Sequence, residues 1–297
     1  MKSKKSIAEY MFDTALYLFL TVIFIVTFYP FWNILVISLN DATDTLRGGL
    51  YFWPREITFD SYLAIFRNPE IWSAIRVTLL RTIIGTSLSI FCISMLAYSL
   101  SKRHLIGWRF FSFFFVFTMY FGGGLIPTYM VIKSLGLIDS FWVFIFPGLI
   151  GVFLMILVRT FIEQLPGEIE ESAKIDGAND LQIFFRIVMP LCVPVLATIG
   201  LFLAIGHWNS WYDSYIYTYK PELKTLQAVL VKILNQFQTA SMMSDAQQLA
   251  KSNSRVPVSS ESIRMAVTMV ATLPIVLVYP FVQKYFVKGM MMGAIKS

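Results

Sequence analysis

Charged residues are scarce in this chain. Only 14% of its 297 residues are Asp, Glu, Lys or Arg, while 57% are hydrophobic. Soluble domains carry about 25% charged residues, so the composition argues against an ordinary soluble globular protein. The net charge of +6 does not indicate a nucleic-acid partner, because the basic residues lie around the ends of apolar runs and form no basic stripe.

Residues that bind metals or form disulfides are also few, with two cysteines and two histidines. Cys92 and Cys192 lie inside apolar runs, and their spacing suits neither a metal site nor a disulfide framework. His207 has no partner at metal-ligand spacing. We therefore expect no metal site, and we interpret the two cysteines as small buried hydrophobic residues.

Motifs for catalysis are missing as well. The sequence has no phosphate-binding loop of the form G-x4-GK-[ST], so the chain is not expected to be an ATPase itself. The apolar runs show no paired acid and base and no metal constellation, as a membrane-embedded enzyme would need. We predict no catalytic residue and no cofactor in this chain.

Long uncharged runs are what the sequence has in abundance. Windows of at least 19 residues without Asp, Glu, Lys or Arg occur six times, at 14–40, 82–101, 110–132, 140–158, 187–212 and 265–283. A helix that crosses about 30 Å of hydrocarbon needs about 20 apolar residues, and the runs lack the alternation of barrel strands. We predict an all-α integral membrane protein, with six transmembrane helices in a single domain over 1–297.

Short loops between the runs set the predicted orientation. The segments KSKK and SKRHLIGWR and the C-terminal tail are basic, and basic short loops stay inside, so both termini are predicted to be cytoplasmic. The first run is 27 residues long and has no small-residue cleavage site, which favours a retained span over a signal peptide. Arg76 and Arg81 precede the second run, and we expect them to snorkel outwards.

A charged segment interrupts the apolar pattern. Residues 170–190, EESAKIDGANDLQIFFRIVMP, contain four acids and two bases between two apolar runs. Two interpretations are equally open on physical grounds. The segment could be a rigid knob that transmits force from a partner, or an amphipathic loop that rests at the membrane surface without one.

Turn and cap signals predict two short helices in this segment. Pro166 suits a helix start, and the Asp-Gly pair at 176–177 breaks that helix. Asn179 or Asp180 can cap a second helix, which Pro190 ends or kinks at the inner membrane face.

The residue spacing of the segment resembles the EAA loop of permease subunits of ATP-binding-cassette (ABC) importers, E-A-A-x3-G-x9-I-x-L-P. The register holds from Glu171 to Pro190, with mild departures at Ser172 and Met189. The run IDGAND is similar to the sugar-importer branch. The resemblance implies a coupling loop over 166–190, whose ATPase-coupling residues would be Glu171, Ser172, Ala173, Asp176, Gly177, Ala178, Ile187 and Pro190.

Other stretches extend the resemblance over nearly the whole chain. LAYSLSKRHLIGWR, GGLIPTYMVIKSLGLIDSFW, WNSWYDSYIY and the C-terminal LPIVLVYPFVQKYFVKGMMMGAIKS look like the maltose-permease-like second subunits, especially the polysaccharide-type permeases. The resemblance implies a type I ABC importer fold in a bacterial cell membrane. It also implies a second homologous permease subunit, a cytosolic ATPase dimer that carries ATP and Mg, an extracytoplasmic sugar-binding protein, and lipid as partners.

An ATP-independent facilitator or secondary transporter is the alternative. A proton or sodium symporter usually needs an acid within a span, and the six runs have none. The EAA register also disfavours this alternative.

Two stretches are candidates for the sugar pathway. HWNSWYDS, from His207, places aromatic faces beside amide and hydroxyl groups, which suits sugars, although Trp and Tyr also gather at membrane interfaces. YFGGGLIP, from Tyr120, brings three glycines and a proline into the third run, which permits a break or merely close packing. The pathway residues predicted from these stretches are Trp208, Asn209, Trp211, Tyr212, Asp213, Tyr120 and Gly122.

The outer segment 222–262 is predicted to dock the sugar-binding protein. It is too long for a simple connector, since most connections have about 4–6 residues. Its apolar helical stripe consists of Leu223, Leu226, Val229, Leu230 and Ile233. The alternative is that this stripe rests on the permease's own outer face.

Overall fold

The computed structural model describes residues 6–236 and 259–294. Within these ranges the regular elements are helical, apart from one antiparallel bridge between Asn40 and Ile57. The chain begins with α1 (Ile7–Ser38), α2 (Ala42–Thr45), α3 (Asp60–Phe66), α4 (Pro69–Ser101), α5 (Trp108–Tyr120), α6 (Leu125–Ser134) and α7 (Val152–Ile162). Two 3-10 turns, Phe141–Phe144 and Phe146–Gly148, precede α7.

The second half of the chain continues with shorter helices. They are α8 (Gly167–Ile175), α9 (Asp180–Ile183), α10 (Met189–Leu191), α11 (Val193–Asn209), α12 (Tyr212–Tyr217), α13 (226–236) and α14 (Ser260–Ala294). A π-helical turn, Phe184–Val188, joins α9 to α10, and a 3-10 turn, Pro221–Leu223, precedes α13.

Three of these helices are long and apolar enough to cross a membrane: α1, α4 and the Ser260–Val278 part of α14. Two bent pairs could each form a further span. One joins Phe141–Gly148 to α7 with a bend of 52°, and the other joins Asp180–Leu191 to α11 with a bend of 78°. The described residues therefore contain three to five candidate spans by length and composition.

The third predicted run, 110–132, is two helices in the structure. α5 ends at Tyr120 and α6 begins at Leu125. Gly124 between them has φ 82° and ψ −178°, a backbone conformation that is essentially restricted to glycine. The three glycines thus end the first helix, and neither piece alone is long enough to span the bilayer.

The chain divides into two compact units, and it passes from one unit to the other after Asn68, Val229 and Thr272. The first unit contains α1 to α3. Its α1 has only 6% of its most apolar window buried within the protein, as fits a helix with apolar surroundings. Just after α1 in the chain, the Asn40 side chain is buried. It accepts hydrogen bonds from the backbone N–H groups of Arg55 and Glu56 at 2.8 and 3.0 Å.

The second unit is built around α4, which packs against α7 and α11. Its main core contains Ile93, Ala97, Val158, Ile183 and Ile199, all fully buried. Small residues let α4 and α11 approach closely, as in membrane helix pairs. A Cβ added at Gly85 would lie 2.5 Å from Nε2 of His207, and one at Gly200 would lie 3.0 Å from Cδ1 of Ile90.

Candidate functional site

The charged segment begins with a short helix whose C-terminal end is capped. α8 begins after Pro166, carries two acids in its first turn and has Lys174 in its last, an order that the helix dipole favours. Gly177 has φ +81° and donates its N–H to the Lys174 carbonyl at 3.0 Å, while the Ala178 N–H bonds the Ala173 carbonyl at 2.9 Å. These two bonds form a Schellman motif, so the predicted break at 176–177 has a defined geometry.

A second capped helix follows at once. Asn179 accepts a bond from the Gln182 N–H at 2.9 Å, and the Gln182 side chain accepts one from the Asn179 N–H at 2.9 Å. This reciprocal pair is a capping box. It decides between the two caps that the sequence left open, because Asn179 is the residue before α9 and Asp180 is its first residue.

The return to the core is a π turn followed by a sharp bend. The π turn covers Phe184–Val188, and Pro190 lies within the three-residue α10 that follows. The chain then bends by 78° into α11. Proline restricts the backbone and removes a donor, so its place between the π turn and the bend agrees with the predicted kink.

One face of this two-helix segment is fixed to the core. Ala173, Ile183 and Phe184 are buried, and the ring of Phe184 lies 5.3 Å from that of Tyr98 on α4. Glu170 forms an ion pair with Lys102, just beyond the end of α4, and both side chains are about one-fifth exposed. The segment is thus held by apolar contacts and by a charge pair.

The opposite face of the segment is open. Ile175 is 86% exposed and Leu181 is 60% exposed, and α8 also presents the Glu171 carboxylate on this exposed part of the surface. Of the predicted coupling residues, Ala173 is buried, Ala178 and Ile187 are half-buried, and the exposed ones are Glu171, Ser172, Asp176, Gly177 and Pro190. This two-helix segment, called the knob below, therefore presents an outer face with both apolar and acidic side chains.

An ion pair between a buried arginine and a partly exposed aspartate joins α4 to the break between α11 and α12. Nη2 of Arg81 lies 2.5 Å from Oδ2 of Asp213, and Nη1 lies 3.1 Å from Oδ1. Arg81 also donates to the Ser210 carbonyl at 3.3 Å, and its guanidinium lies 4.7 Å above the ring of Phe144. Asp213 accepts further bonds from the Ser210 hydroxyl and the Ser214 N–H, so both of its oxygens are engaged.

The expectation that Arg81 snorkels outwards is wrong. Its side chain is 2% exposed, because a carboxylate is available inside the protein to pair with it. That carboxylate lies 132 residues further along the chain. Within the sequence, no local signal linked the two residues, although Asp213 stood out as an acid directly after an apolar run.

Hydroxyl groups extend this polar contact along the segment that follows α12. The Leu226 N–H donates to Oγ1 of Thr78 on α4 at 2.8 Å, and the Thr225 N–H donates to the Ser214 hydroxyl at 3.1 Å. Thr78, Ser214 and Thr225 are fully buried. The polar side chains of α4 therefore hold the chain from 210 to 226 in place.

The aromatic residues of the predicted sugar pathway lie at the surface beside this ion pair. Trp211 is 40% exposed and Tyr212 is 48% exposed, with perpendicular rings 5.8 Å apart. The ring of Tyr215, 67% exposed, lies 6.1 Å from Trp211. Asn209 is exposed and Trp208 half-buried. Sequence reasoning did not include Tyr215, whose place one helical turn after Trp211 is the signal that could have found it.

Tyr120 and Gly122 lie at the break between α5 and α6. Tyr120 is 85% exposed, and a Cβ at Gly122 would meet nothing within 4 Å. Next to this break, an open groove of about 430 Å³ is lined by Gly123, Pro127, Thr128, Val131, Ile132, Leu135, Leu137, Phe146 and Pro147. The structure does not bring Tyr120 and Gly122 into contact with the aromatic group at 211–215.

The apolar stripe of the predicted docking segment faces inwards. Leu226, Val229, Leu230 and Ile233 are buried, each at most 4% exposed, and Leu223 is half-buried. The stripe is therefore covered within the chain and is not a free docking surface. The polar stretch 241–256 lies outside the described residues.

Asp139 closes the turn between α6 and the 3-10 turns. Its carboxylate accepts the N–H of Tyr219 at 2.5 Å and that of Lys220 at 3.1 Å. These bonds, the Tyr219 bond foremost, hold the pKa of the Asp139 carboxyl below its ordinary value, because they stabilise the charged form. Among the described residues, no group of three or more His, Cys, Asp or Glu is placed to hold a metal ion.

Several helices long and apolar enough to cross a membrane place the chain among membrane proteins, and comparison with known proteins gives its family. The chain is 39% identical over 287 residues to the polygalacturonan/rhamnogalacturonan transport system permease protein YtcP of Bacillus subtilis, which covers 97% of this chain and 99% of that protein. No family model matches the chain. The chain therefore belongs to the permease proteins of sugar and polysaccharide ABC transporters.

Solved structures agree with this assignment. A crystal structure of a bacterial ABC transporter involved in the import of the acidic polysaccharide alginate matches with a TM-score of 0.83 and 29% identity, over 96% of this chain and 100% of the matched chain. A bacterial alginate ABC transporter in complex with an alginate pentasaccharide-bound periplasmic protein matches with a TM-score of 0.55 and 15% identity, over 93% and 94% of the two chains. The second likeness shows the shared fold alone.

Proposed function

We propose that this chain forms half of the translocation pathway of an ATP-driven importer for oligosaccharides or polysaccharide fragments. It pairs with a second, homologous permease subunit in a bacterial cell membrane, and a separate cytosolic ATPase dimer holds ATP and Mg. The observation that carries the proposal is the knob of α8 and α9, which is fixed to the core on one face and open on the other.

The exposed face of the knob carries side chains that are suited to binding a groove on a partner protein. Ile175 and Leu181 expose large apolar side chains, and burying such a side chain contributes about 1.5–3 kcal/mol. Glu171 lies on the same exposed part of α8 and can form a charge-assisted bond to a basic residue of the ATPase. Because both helices are capped, the knob transmits a movement of the ATPase without first becoming ordered.

Coupling is tested with variants of the knob in the assembled transporter. Glu171→Ala and Gly177→Pro are expected to abolish sugar uptake while membrane insertion stays normal. The Gly177 backbone at φ +81° is incompatible with proline, which fixes φ near −65°. Glu163→Ala is the matched control, since this acid pairs with Arg159 on its own helix, at 2.9 Å. Normal uptake by both knob variants would overturn the coupling role.

Six spans with both termini in the cytoplasm complete the proposal. The third span would consist of α5 and α6 across the glycine break, with 13 and 10 residues, which together rise about 35 Å. Single cysteines in place of Arg103 and Ser134, in a chain without Cys92 and Cys192, test this topology. An impermeant thiol reagent should label position 134 from outside and position 103 from inside; labelling of both from one side would exclude the span.

The sugar is proposed to pass the exposed aromatic group at Trp211, Tyr212 and Tyr215. Their tilted and perpendicular rings offer faces for the C–H surfaces of sugar rings, and Asn209 adds an exposed amide. Tyr120 and Gly122, at the glycine break, remain pathway predictions. Because both named relatives handle acidic polysaccharides, uronate oligosaccharides belong in the panel for sugar-stimulated ATPase, beside neutral ones.

A further inference from the structure

We infer that Lys102, Glu170, Arg81 and Asp213 are positioning residues that make α4 a rigid link between the coupling knob and the aromatic group of the sugar side. This inference rests on the proposed coupling role of the knob. One ion pair connects Lys102, just beyond the C-terminal end of α4, to the knob, and another connects Arg81, within the first half of α4, to the segment of the aromatic rings. The two pairs do not share a residue.

The C-terminal end of α4 is attached to both parts of the knob. Lys102 pairs with Glu170 of α8, and its ammonium lies 4.6 Å above the ring of Tyr98. That ring packs at 5.3 Å against Phe184, the first residue of the π turn. Lys102 thus bonds to α8, and Tyr98 contacts the return from α9. A movement of the knob has to move this end of α4 or break these contacts.

The part of α4 around Arg81 is attached to the segment that carries the aromatic rings. Arg81 bonds to the Ser210 carbonyl at 3.3 Å and to both oxygens of Asp213, the residues on either side of Trp211 and Tyr212. Arg81 is 2% exposed, so water does not compete for the guanidinium. The backbone beneath the two rings is thereby fixed to α4.

Between these two attachments α4 is continuous. It is one helix from Pro69 to Ser101, with no proline after its first residue, and the 21 positions from Arg81 to Lys102 span about 31 Å. The other route from the knob to the aromatic group runs through Cys192 into α11, where the chain bends by 78°. A continuous helix transmits a displacement along its length, whereas a bend at a proline-rich junction allows its two arms to move independently.

The test is a charge exchange in the complete transporter with its ATPase and binding protein, reconstituted in liposomes. The variants are Lys102→Glu, Glu170→Lys and the double exchange, with Glu163→Gln as the matched control for loss of an ion pair within one helix. The sugar is the oligogalacturonide or neutral oligosaccharide that stimulates the wild-type ATPase. A second readout uses ATP alone: a fluorophore on Tyr215→Cys, with the other cysteines replaced, reports changes on the sugar side.

Each single variant is expected to lower the ratio of stimulated to basal ATPase by about fivefold or more, the size of a typical coupling between sites, and to reduce the ATP-dependent signal at position 215. The double exchange should restore both readouts to within about twofold, and Glu163→Gln should leave them unchanged. Normal readouts in the single variants would overturn the inference. So would a double exchange no better than the single variants, or an equal fall of basal and stimulated ATPase, which would indicate a folding role.

Failure of this inference can be told apart from failure of the coupling proposal. If Glu171→Ala and Gly177→Pro transport normally, the knob itself has no coupling role. If those variants lose transport while Lys102→Glu keeps the full ratio of stimulated to basal ATPase, the knob couples by another route and α4 is not the link.

Discussion

Arg81 and Asp213 form a bidentate ion pair, with nitrogen–oxygen distances of 2.5 and 3.1 Å. Removing one partner of a fully buried pair leaves an uncompensated charge and costs about 3–5 kcal/mol. Arg81→Met leaves the charge of Asp213, which is 22% exposed, without this partner, so it is expected to lower the thermal stability of the detergent-solubilised complex by less than that. Arg76→Met, at an exposed position of the same helix, should change it little.

The double variant Arg81→Met/Asp213→Asn distinguishes the interaction between the two residues from the contacts that each makes with its surroundings. Because no unpaired charge is left at this contact, it should be more stable than Arg81→Met alone. Unfolding is followed by the temperature at which the complex loses its monodisperse elution. A double variant that is less stable by the sum of both single losses would show that the two residues act independently.

The close approach of α4 and α11 at Gly85 gives a second prediction. A methyl group there would lie 2.5 Å from Nε2 of His207, so Gly85→Ala should cost about 1–3 kcal/mol through overpacking. His207→Ala removes the obstructing ring, and the double variant Gly85→Ala/His207→Ala should recover stability relative to Gly85→Ala. Gly122→Ala, where an added Cβ meets nothing within 4 Å, serves as the control. No recovery in the double variant would count against this packing.

Trp211→Ala tests the aromatic group as a sugar contact. The variant should weaken sugar-stimulated ATPase more than basal ATPase, since an aromatic contact is worth about 0.5–1.5 kcal/mol beyond its area. Trp142→Ala is the matched control, because Trp142 is 44% exposed against 40% for Trp211 and is not a predicted pathway residue. An equal loss of both activities would instead support an interfacial role for Trp211.

A pH-dependent contribution is expected from Asp139. Its folded-state pKa is depressed by the N–H groups of Tyr219 and Lys220, so it stabilises the fold above the unfolded pKa, near the ordinary 3.8, and this contribution is lost as the pH falls through the folded pKa. The melting-temperature gap between wild type and Asp139→Asn should therefore be constant at neutral pH, begin to narrow as the pH falls through about 4, and close once the pH is below the folded-state pKa.

Asp139→Ala separates the hydrogen bonds of Asp139 from its charge. The residue has φ 55°, a conformation that Asn tolerates better than Ala. Asp139→Ala should thus melt below Asp139→Asn at pH 7. Equal melting temperatures would mean that neither the bonds nor the backbone conformation at this turn matters for stability.

The polar stretch 241–256 remains the part of the outer segment proposed to dock the sugar-binding protein, since the stripe before it is buried. Its deletion should spare assembly and basal ATPase but reduce stimulation by the loaded binding protein. The measurement is ATPase activity against increasing binding-protein concentration. An unchanged curve would leave the stretch as a tolerated insertion.

Local signals predicted the two short helices of the knob and the turn between them well. Gly177 and Asn179 mark the turn because their backbone and side-chain chemistry acts within five residues, and the structure places both as expected. Pro190 likewise lies at the predicted kink. Such features depend on neighbours in the sequence, so the sequence alone is enough to predict them.

The long uncharged runs of the sequence, by contrast, did not always correspond to continuous helices. The run 110–132 breaks at its glycines, and 140–158 begins with 3-10 turns before it bends by 52° into α7. Hydrophobicity reports the surroundings of a segment, whereas its backbone path depends on glycine and proline and on packing. The pair Arg81–Asp213 was missed for a related reason: it depends on two helices meeting, which no local pattern encodes.

The π turn at Phe184–Val188 also limits how this segment can be exchanged between related permeases. A π turn holds one residue more than an α-helical turn, and each α-helical residue turns the chain by about 100°. A graft of the knob without this extra residue would rotate Ile183 and Phe184 away from the core that they fill. The smallest cassette that can be transplanted as a working part is therefore the whole stretch from the end of α7 to the start of α11.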